Sequence, residues 1–275
     1  MDTPEPLHNR ALAEGLPAAP GVYTFHGSQP TLPLYIGKSV NIRNRVLAHL
    51  RNPDEAAMVK QTVRVSHIRT AGDIGAQLLE AELIKAQQPL YNQRLRRNRQ
   101  LCSWQWDTQG CPILVHAKDV DFAHTSGLFG LYASRHAAIN GLRELADQHQ
   151  LCEVLLGLEK AAKGRGCFRS TLRRCAGACC GQEPIAEHHR RLQQAFEGLR
   201  VLCWPHPGPL GLVERWSEPD PMVQVHVVHN WCYLGSVPNV KAAARLARTP
   251  AHFDADGYKI LCRPLLQGAA QVIHL

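Results

Sequence analysis

Five residues that could act on a phosphodiester stand close together near the start of this chain: Tyr23, Tyr35, Lys38, Arg45 and His49. Phenols can position or accept a proton, and a guanidinium and an ammonium neutralise phosphate oxygens while donating hydrogen bonds to them. Such a set still needs a metal ligand, and a carboxylate for it stands at Glu80, inside Leu78-Leu79-Glu80-Ala81-Glu82-Leu83-Ile84-Lys85. At about 100° per residue, Glu80 falls among Ala76, Leu83 and Ile84 on the apolar side of that helix, while Glu82 and Lys85 fall on the polar side. A carboxylate on the packed side is costly unless it is paired or binds a cation. Glu80 is therefore the expected metal ligand, and Glu82 the solvated residue.

A second chemical signal lies further on. Cys152, Cys167, Cys175 and Cys179 are separated by fourteen, seven and three residues, and Cys180 follows. Arg165, Arg169, Arg173 and Arg174 are interleaved, so the segment is too polar for an ordinary core stretch. Four thiolates carry negative charge, which a metal centre and nearby arginines offset. The paired Cys-x-x-Cys knuckles of a zinc ribbon are absent. Wide, unequal spacing suits a [4Fe–4S] cubane, with Zn²⁺ the alternative. Cys180 is expected to be a spare thiol.

The elements that must position these groups follow from the pattern. Gly21 to Gly37 reads as a β-hairpin, with Val22, Tyr23 and Phe25, then Leu32, Leu34, Tyr35 and Ile36, as strand formers around the turn residues Gly27, Ser28 and Pro30. By itself such a hairpin would only pack its two tyrosines. A helix over 40–50 follows, with Ile42, Val46 and Leu50 as its packed face and Arg45 and His49 stacked beside it. Residues 62–69 alternate as a third strand, and Pro89 ends the Glu80 helix. The first domain is thus a small antiparallel sheet with packed helices.

These residues carry a resemblance. Gly21-Val22-Tyr23, Tyr35-Ile36-Gly37-Lys38, Arg45, the Glu80 segment and Pro89-Leu90-Tyr91-Asn92 resemble the GIY-YIG nuclease domain of the UvrC type, over roughly residues 18–92. The resemblance implies one Mg²⁺ or Mn²⁺ on Glu80, and Tyr23, Tyr35, Lys38, Arg45 and Asn92 around the scissile phosphate. It makes Tyr35 the candidate general base. Where UvrC proteins often carry a tyrosine this chain has His49, as other GIY-YIG nucleases do, which brings His49 into question for proton transfer. The Gly127-Leu128-Phe129-Gly130-Leu131-Tyr132 stretch and the cysteine run are also similar to UvrC, whose cysteines hold a [4Fe–4S] cluster.

The chain has 275 residues, too few for the second nuclease half and the helix-hairpin-helix pair of UvrC. Its organisation resembles the short, Cho-type UvrC homologues. That implies 3′ incision at a lesion in double-stranded DNA during nucleotide excision repair, with a UvrB–DNA complex as partner. A sequence-specific nuclease of the restriction or mobile-element kind, or a non-catalytic iron–sulfur DNA-binding protein, are the competing readings.

Composition agrees with a polyanionic partner: the formal charge is +8 and the pI about 9.1. No apolar run reaches a membrane span and no signal core opens the chain, so a cytoplasmic monomer without disulfides is expected. Arg94, Arg96, Arg97 and Arg99 read as a phosphate-contacting strip. The overall class is α+β, in three parts: a nuclease domain at 1–97, a cysteine-cluster region at 98–200, and a small α/β domain at 201–275. In the middle part Trp104 and Trp106 should pack, and helices should span about 134–148 and 185–202. In the last part, residues 223–235 form a hairpin and residues 258–262 and 270–275 closing strands. His226 and His229 are three apart on a strand, so they should face opposite ways, and no chemistry is legible there.

Overall fold

The structure, a computed structural model, describes residues 11–28, 32–92, 101–160, 166–268 and 270–275. The arginine strip, Arg94 to Arg99, lies outside them. The chain forms two compact units: Met1–Arg97 with His206–Leu275, and Asn98–Pro205.

The first unit opens with strands β1 (Gly21–His26) and β2 (Pro33–Ser39), helices α1 (Ile42–Arg51) and α2 (Ala56–Gln61), strand β3 (Arg64–Arg69) and helix α3 (Asp73–Gln87). The strands form an antiparallel sheet in the order β2-β1-β3. Tyr23 pairs with Gly37, and Phe25 with Tyr35. Side chains alternate along a strand, so both tyrosines lie on one face. That face is covered by the expected stripe of α1, with Ile42, Val46 and Leu50 all buried. Asn41 caps α1 by accepting from the Asn44 N–H at 3.0 Å. The opposite face, with Val22 and Ile36, packs against Ile84, Leu79 and Leu83 of α3.

The last part of the chain adds β7 (Leu210–Trp216), β8 (Met222–His229) and β9 (Cys232–Val237), then helices α7 (Val240–Leu246) and α8 (Ala255–Leu266), and β10 (Gln271–His274). Its antiparallel sheet runs β10-β7-β8-β9. One expectation is corrected here. Residues 258–262 lie in α8, not in a strand, because Asp254 caps that helix at the Gly257 N–H, 3.1 Å away, and Leu261 seals its inner face.

The second unit holds β4 (Cys102–Trp106), β5 (Pro112–His116) and β6 (Leu128–Tyr132), in the order β5-β4-β6. Its helices are α4 (Arg135–Gln148), α5 (Phe168–Thr171) and α6 (Ile185–Glu197). Trp104, Phe129, Leu142 and Phe196 form its core, and Trp106 stacks on Phe196 at 4.6 Å between ring centres. Helix α6 stops five residues short of the expected end, at Glu197, since Gly198 follows and Val201 turns away to bond the Leu128 carbonyl at 2.8 Å. Both units are mixed helix and antiparallel sheet, which is the expected α+β class.

Candidate active site

The tyrosine pair is held close by a glycine. A Cβ at Gly37 would lie 2.4 Å from the Tyr23 hydroxyl and 2.7 Å from the Tyr35 ring, so only glycine allows both rings to settle there. The Tyr23 and Tyr35 ring centres are 6.3 Å apart, and His49 lies 5.5 and 5.3 Å from them. Tyr23 is fully buried, His49 is buried, and Arg45 is exposed, with its positive charge acting on the Tyr23 hydroxyl.

His49 joins two groups. Its Nε2 stands 2.7 Å from the Tyr23 hydroxyl, and its Nδ1 is bonded to the Glu55 carboxylate. A carboxylate only accepts, so Nδ1 carries the proton and Nε2 accepts from the phenol. Burial holds His49 below the usual imidazole range, with Glu55 opposing that shift, so the ring is neutral near pH 7. Glu55 was not singled out from the sequence. Its signal is its place in the 3₁₀ turn Pro53–Glu55, which Asn52 caps so that Glu55 returns toward His49.

Both phenols are pushed above their usual range. For Tyr23 the cause is burial, followed by the neighbouring Tyr35. For Tyr35 it is burial and then the Glu80 charge, with Arg45 opposing. Desolvation outweighs the opposing Arg45 charge in this pocket, so a standing phenolate is disfavoured.

On the other side of β2, Glu80 is half-buried, and its Oε1 accepts from the Lys38 backbone N–H at 3.0 Å. Among the described residues no group donates to its Oε2. Burial raises its carboxyl, the Lys38 N–H and charge oppose this, and Asp73 adds to it. A desolvated carboxylate with an uncommitted oxygen fits a hard divalent ion that completes its shell with water and phosphate oxygens. The Lys38 ammonium is held by Asp73 Oδ1 at 2.8 Å, and Gln77 Nε2 donates to Asp73 Oδ2 at 2.8 Å. Asp73, Gln77 and Glu80 share one face of α3. The Asn92 amide accepts from the Ile36 N–H at 2.9 Å and donates to the Ile36 carbonyl at 2.8 Å. It thus fastens the strand that carries Tyr35.

Lys85, expected on the polar side of the helix, meets partners there. It is partly buried and paired with Asp254 at 2.5 Å and Asp256 at 3.0 Å. Glu82 is exposed, as expected.

In the second unit the sulfurs of Cys152, Cys167, Cys175 and Cys179 all lie within 4.8 Å of one another. Cys180 is outside the set and exposed. The Cys167 N–H donates to Cys179 Sγ at 3.2 Å and the Gly177 N–H to Cys175 Sγ at 3.3 Å. The Cys152 N–H is held by buried His188 at 3.0 Å. Burial raises the thiols of Cys152, Cys175 and Cys179. Cys167, although buried, is held below the usual thiol range by the Ser170 amide and the other sulfurs. Four clustered sulfurs, those of buried Cys152, Cys167 and Cys175 and half-buried Cys179, two of them with amide donors, suit a metal centre that takes up their negative charge. A single tetrahedral ion holds its thiolates about 3.8 Å apart at a metal–sulfur distance of about 2.3 Å. A cubane spreads them further, so these loops would widen to receive one.

Three family models match successive segments. One described as the UvrC-like GIY-YIG domain matches residues 19–93, one as the UvrC/Cho excinuclease middle domain residues 101–198, and one as the excinuclease Cho C-terminal domain residues 209–275. Excinuclease cho of Salmonella typhi is 58% identical over 270 residues, covering 98% of this chain and 91% of the relative. The protein of the same name from Escherichia coli (strain K12) is 56% identical, covering 98% and 90%. UvrABC system protein C of Caldicellulosiruptor saccharolyticus is 30% identical over 67% of this chain and 32% of its own length. Among solved structures, the GIY-YIG N-terminal endonuclease domain of UvrC from Thermotoga maritima, bound to magnesium, shares 29% identity. It covers 32% of this chain and 98% of that one, with a TM-score of 0.29.

Proposed function

This chain belongs to the Cho excinucleases, the UvrC-like GIY-YIG nucleases of nucleotide excision repair, and from that premise we propose that it hydrolyses one phosphodiester on the 3′ side of a lesion by a one-metal mechanism. The observation that carries the mechanism is the connected chain Glu55–His49–Tyr23 beside Tyr35, with Glu80, bonded to the Lys38 backbone, near enough for its charge to act on Tyr35.

Glu80 would hold the Mg²⁺ or Mn²⁺, which when bound supplies Lewis-acid stabilisation of the leaving oxygen. Arg45 and Lys38 neutralise the non-bridging oxygens. Tyr35 takes a proton from the attacking water while its own passes through Tyr23 to the neutral Nε2 of His49. This relay avoids a standing phenolate, which the burial of both rings opposes. Glu55 stabilises the imidazolium so formed. The new P–O bond forms in line as the P–O3′ bond breaks, leaving a 3′-hydroxyl and a 5′-phosphate, with the leaving oxygen protonated from solvent.

The four cysteines hold a [4Fe–4S] cluster in this reading, with Zn²⁺ the alternative. The partner is a UvrB–DNA complex at a bulky lesion. Family membership along nearly the whole chain favours this over a restriction-type nuclease or a non-catalytic DNA-binding protein.

The test is single-turnover incision of an end-labelled duplex carrying one bulky lesion, with UvrB and Mg²⁺. Glu80→Ala should lose cutting by about a thousandfold or more and keep its affinity within about twofold, since the ion acts on the transition state. Tyr35→Phe, which removes only the hydroxyl, should slow cutting by about a hundredfold. Mg²⁺-dependent cutting by Glu80→Ala would overturn the one-metal site. Wild-type rates in Tyr35→Phe would overturn the relay.

A further inference from the structure

Helix α3 carries Glu80, yet its own sequence gives it no N-terminal cap. Its N-cap residue is Gly72, which has no side chain, and Asp73 in the first turn is turned toward Lys38. The orphan N–H groups of a first turn must find acceptors elsewhere. They find them about 140 residues later, in the C-terminal part of the same unit. Glu214 on β7 accepts from the Ile74 N–H at 3.0 Å with Oε1 and from the Gly75 N–H at 2.8 Å with Oε2.

Glu214 is itself fixed. Its Oε2 also accepts from His226 Nε2 at 2.9 Å, and His226 Nδ1 meets Ser236 Oγ at 2.6 Å. The Ser236 hydroxyl in turn meets the Tyr233 hydroxyl at 2.6 Å. His226 is fully buried. The approach is close enough to require glycine: a Cβ at Gly75 would sit 2.3 Å from His226 Cε1, and one at Gly72 2.3 Å from Glu214 Oε1. The other end of α3 is tied to the same part of the chain by Lys85 with Asp254 and Asp256. Glu80 stands midway between the two attachments.

We propose that Glu214, locked by His226, is a positioning residue for the nuclease reaction: it holds the first turn of α3 so that Asp73 aims Lys38, and Glu80 meets the Lys38 backbone, in the geometry the scissile phosphate needs. The Cho-specific C-terminal segment thereby acts as a brace for the catalytic helix. A carboxylate suits this place because two N–H donors and the positive end of the helix dipole converge on it. This role rests on the reading of Glu80 as the metal ligand.

The test is Glu214→Gln in the full chain. It keeps the size and one acceptor oxygen but removes the charge and one of the two amide bonds. Single-turnover incision should slow by about tenfold, with affinity for the lesion duplex unchanged within about twofold. Hydrogen exchange of the Ile74 and Gly75 amides should quicken by about tenfold or more, while the amides of β7 and β8 keep their protection. An unchanged rate overturns the proposal, and so does a slower rate with unchanged exchange at Ile74 and Gly75. Loss of protection throughout β7 to β10 also overturns it, making Glu214 a fold residue only. Glu80→Ala run alongside separates the two readings: if it still cuts, the metal assignment fails, whereas exchange in Glu214→Gln still decides whether the brace exists.

Discussion

Glu55→Gln isolates the charge that the proposed relay needs. The glutamine amide oxygen can still accept from His49 Nδ1–H, so the ring keeps its tautomer and its reach to Tyr23. What is lost is the attraction between the carboxylate and the imidazolium formed as the proton arrives. Two unit charges about 4 Å apart interact by about 4 kcal/mol at an effective dielectric constant of about 20. The Glu55 side chain is 32% exposed, so solvent screening reduces the useful part. A remainder of about 1.4–2.7 kcal/mol corresponds to a single-turnover rate lower by about 10- to 100-fold. The pH profile adds an independent sign. His49 must be neutral to accept the proton, so activity falls as pH drops through its pKa, which burial places below the usual imidazole value. Glu55 raises that pKa, so removing its charge moves the acid limb to still lower pH even as the plateau falls. The assay is incision of the lesion duplex with enzyme in excess, from about pH 5 to 9, an interval chosen to span imidazole titration. A plateau within twofold of wild type, or an acid limb that stays in place, would refute the relay through His49.

Two further outcomes are expected. Anaerobically purified protein should be brown with about four irons per chain, and Cys167→Ala, Cys175→Ala or Cys179→Ala should lose the metal and much of the soluble yield while Cys180→Ala is mild. Stoichiometric zinc in colourless protein would replace the cluster by a single ion. Neutralising Arg94, Arg96 and Arg97 together should flatten the salt dependence of DNA binding, because fewer counterions are released; an unchanged slope, measured by titration at several salt concentrations, would make that run a linker.

The sequence by itself determined the hairpin, the packed face of α1 and the odd carboxylate of α3, because each follows from a local period: two for strands, 3.6 for helices. The Gly21–Gly37 motif also determined that Tyr23 and Tyr35 come together, since hairpin pairing places them on one face. The cysteine set was legible because four thiols crowded among arginines have few other uses. Tertiary structure alone decided what surrounds these groups. Glu55 reaches His49 through a capped turn, with no periodic signal to mark it. Lys85 reads only as a residue on the polar side of its own helix, and its pairing arises because α8 and its capping residue bring two aspartates to it. Desolvation, which sets the phenols above their usual range, depends on everything packed around the rings and so is invisible in their spacing. The brace on α3 is the clearest case: Gly72 reads only as a missing cap, and the partner that fills it stands on β7, joined to it by the fold and not by neighbouring sequence.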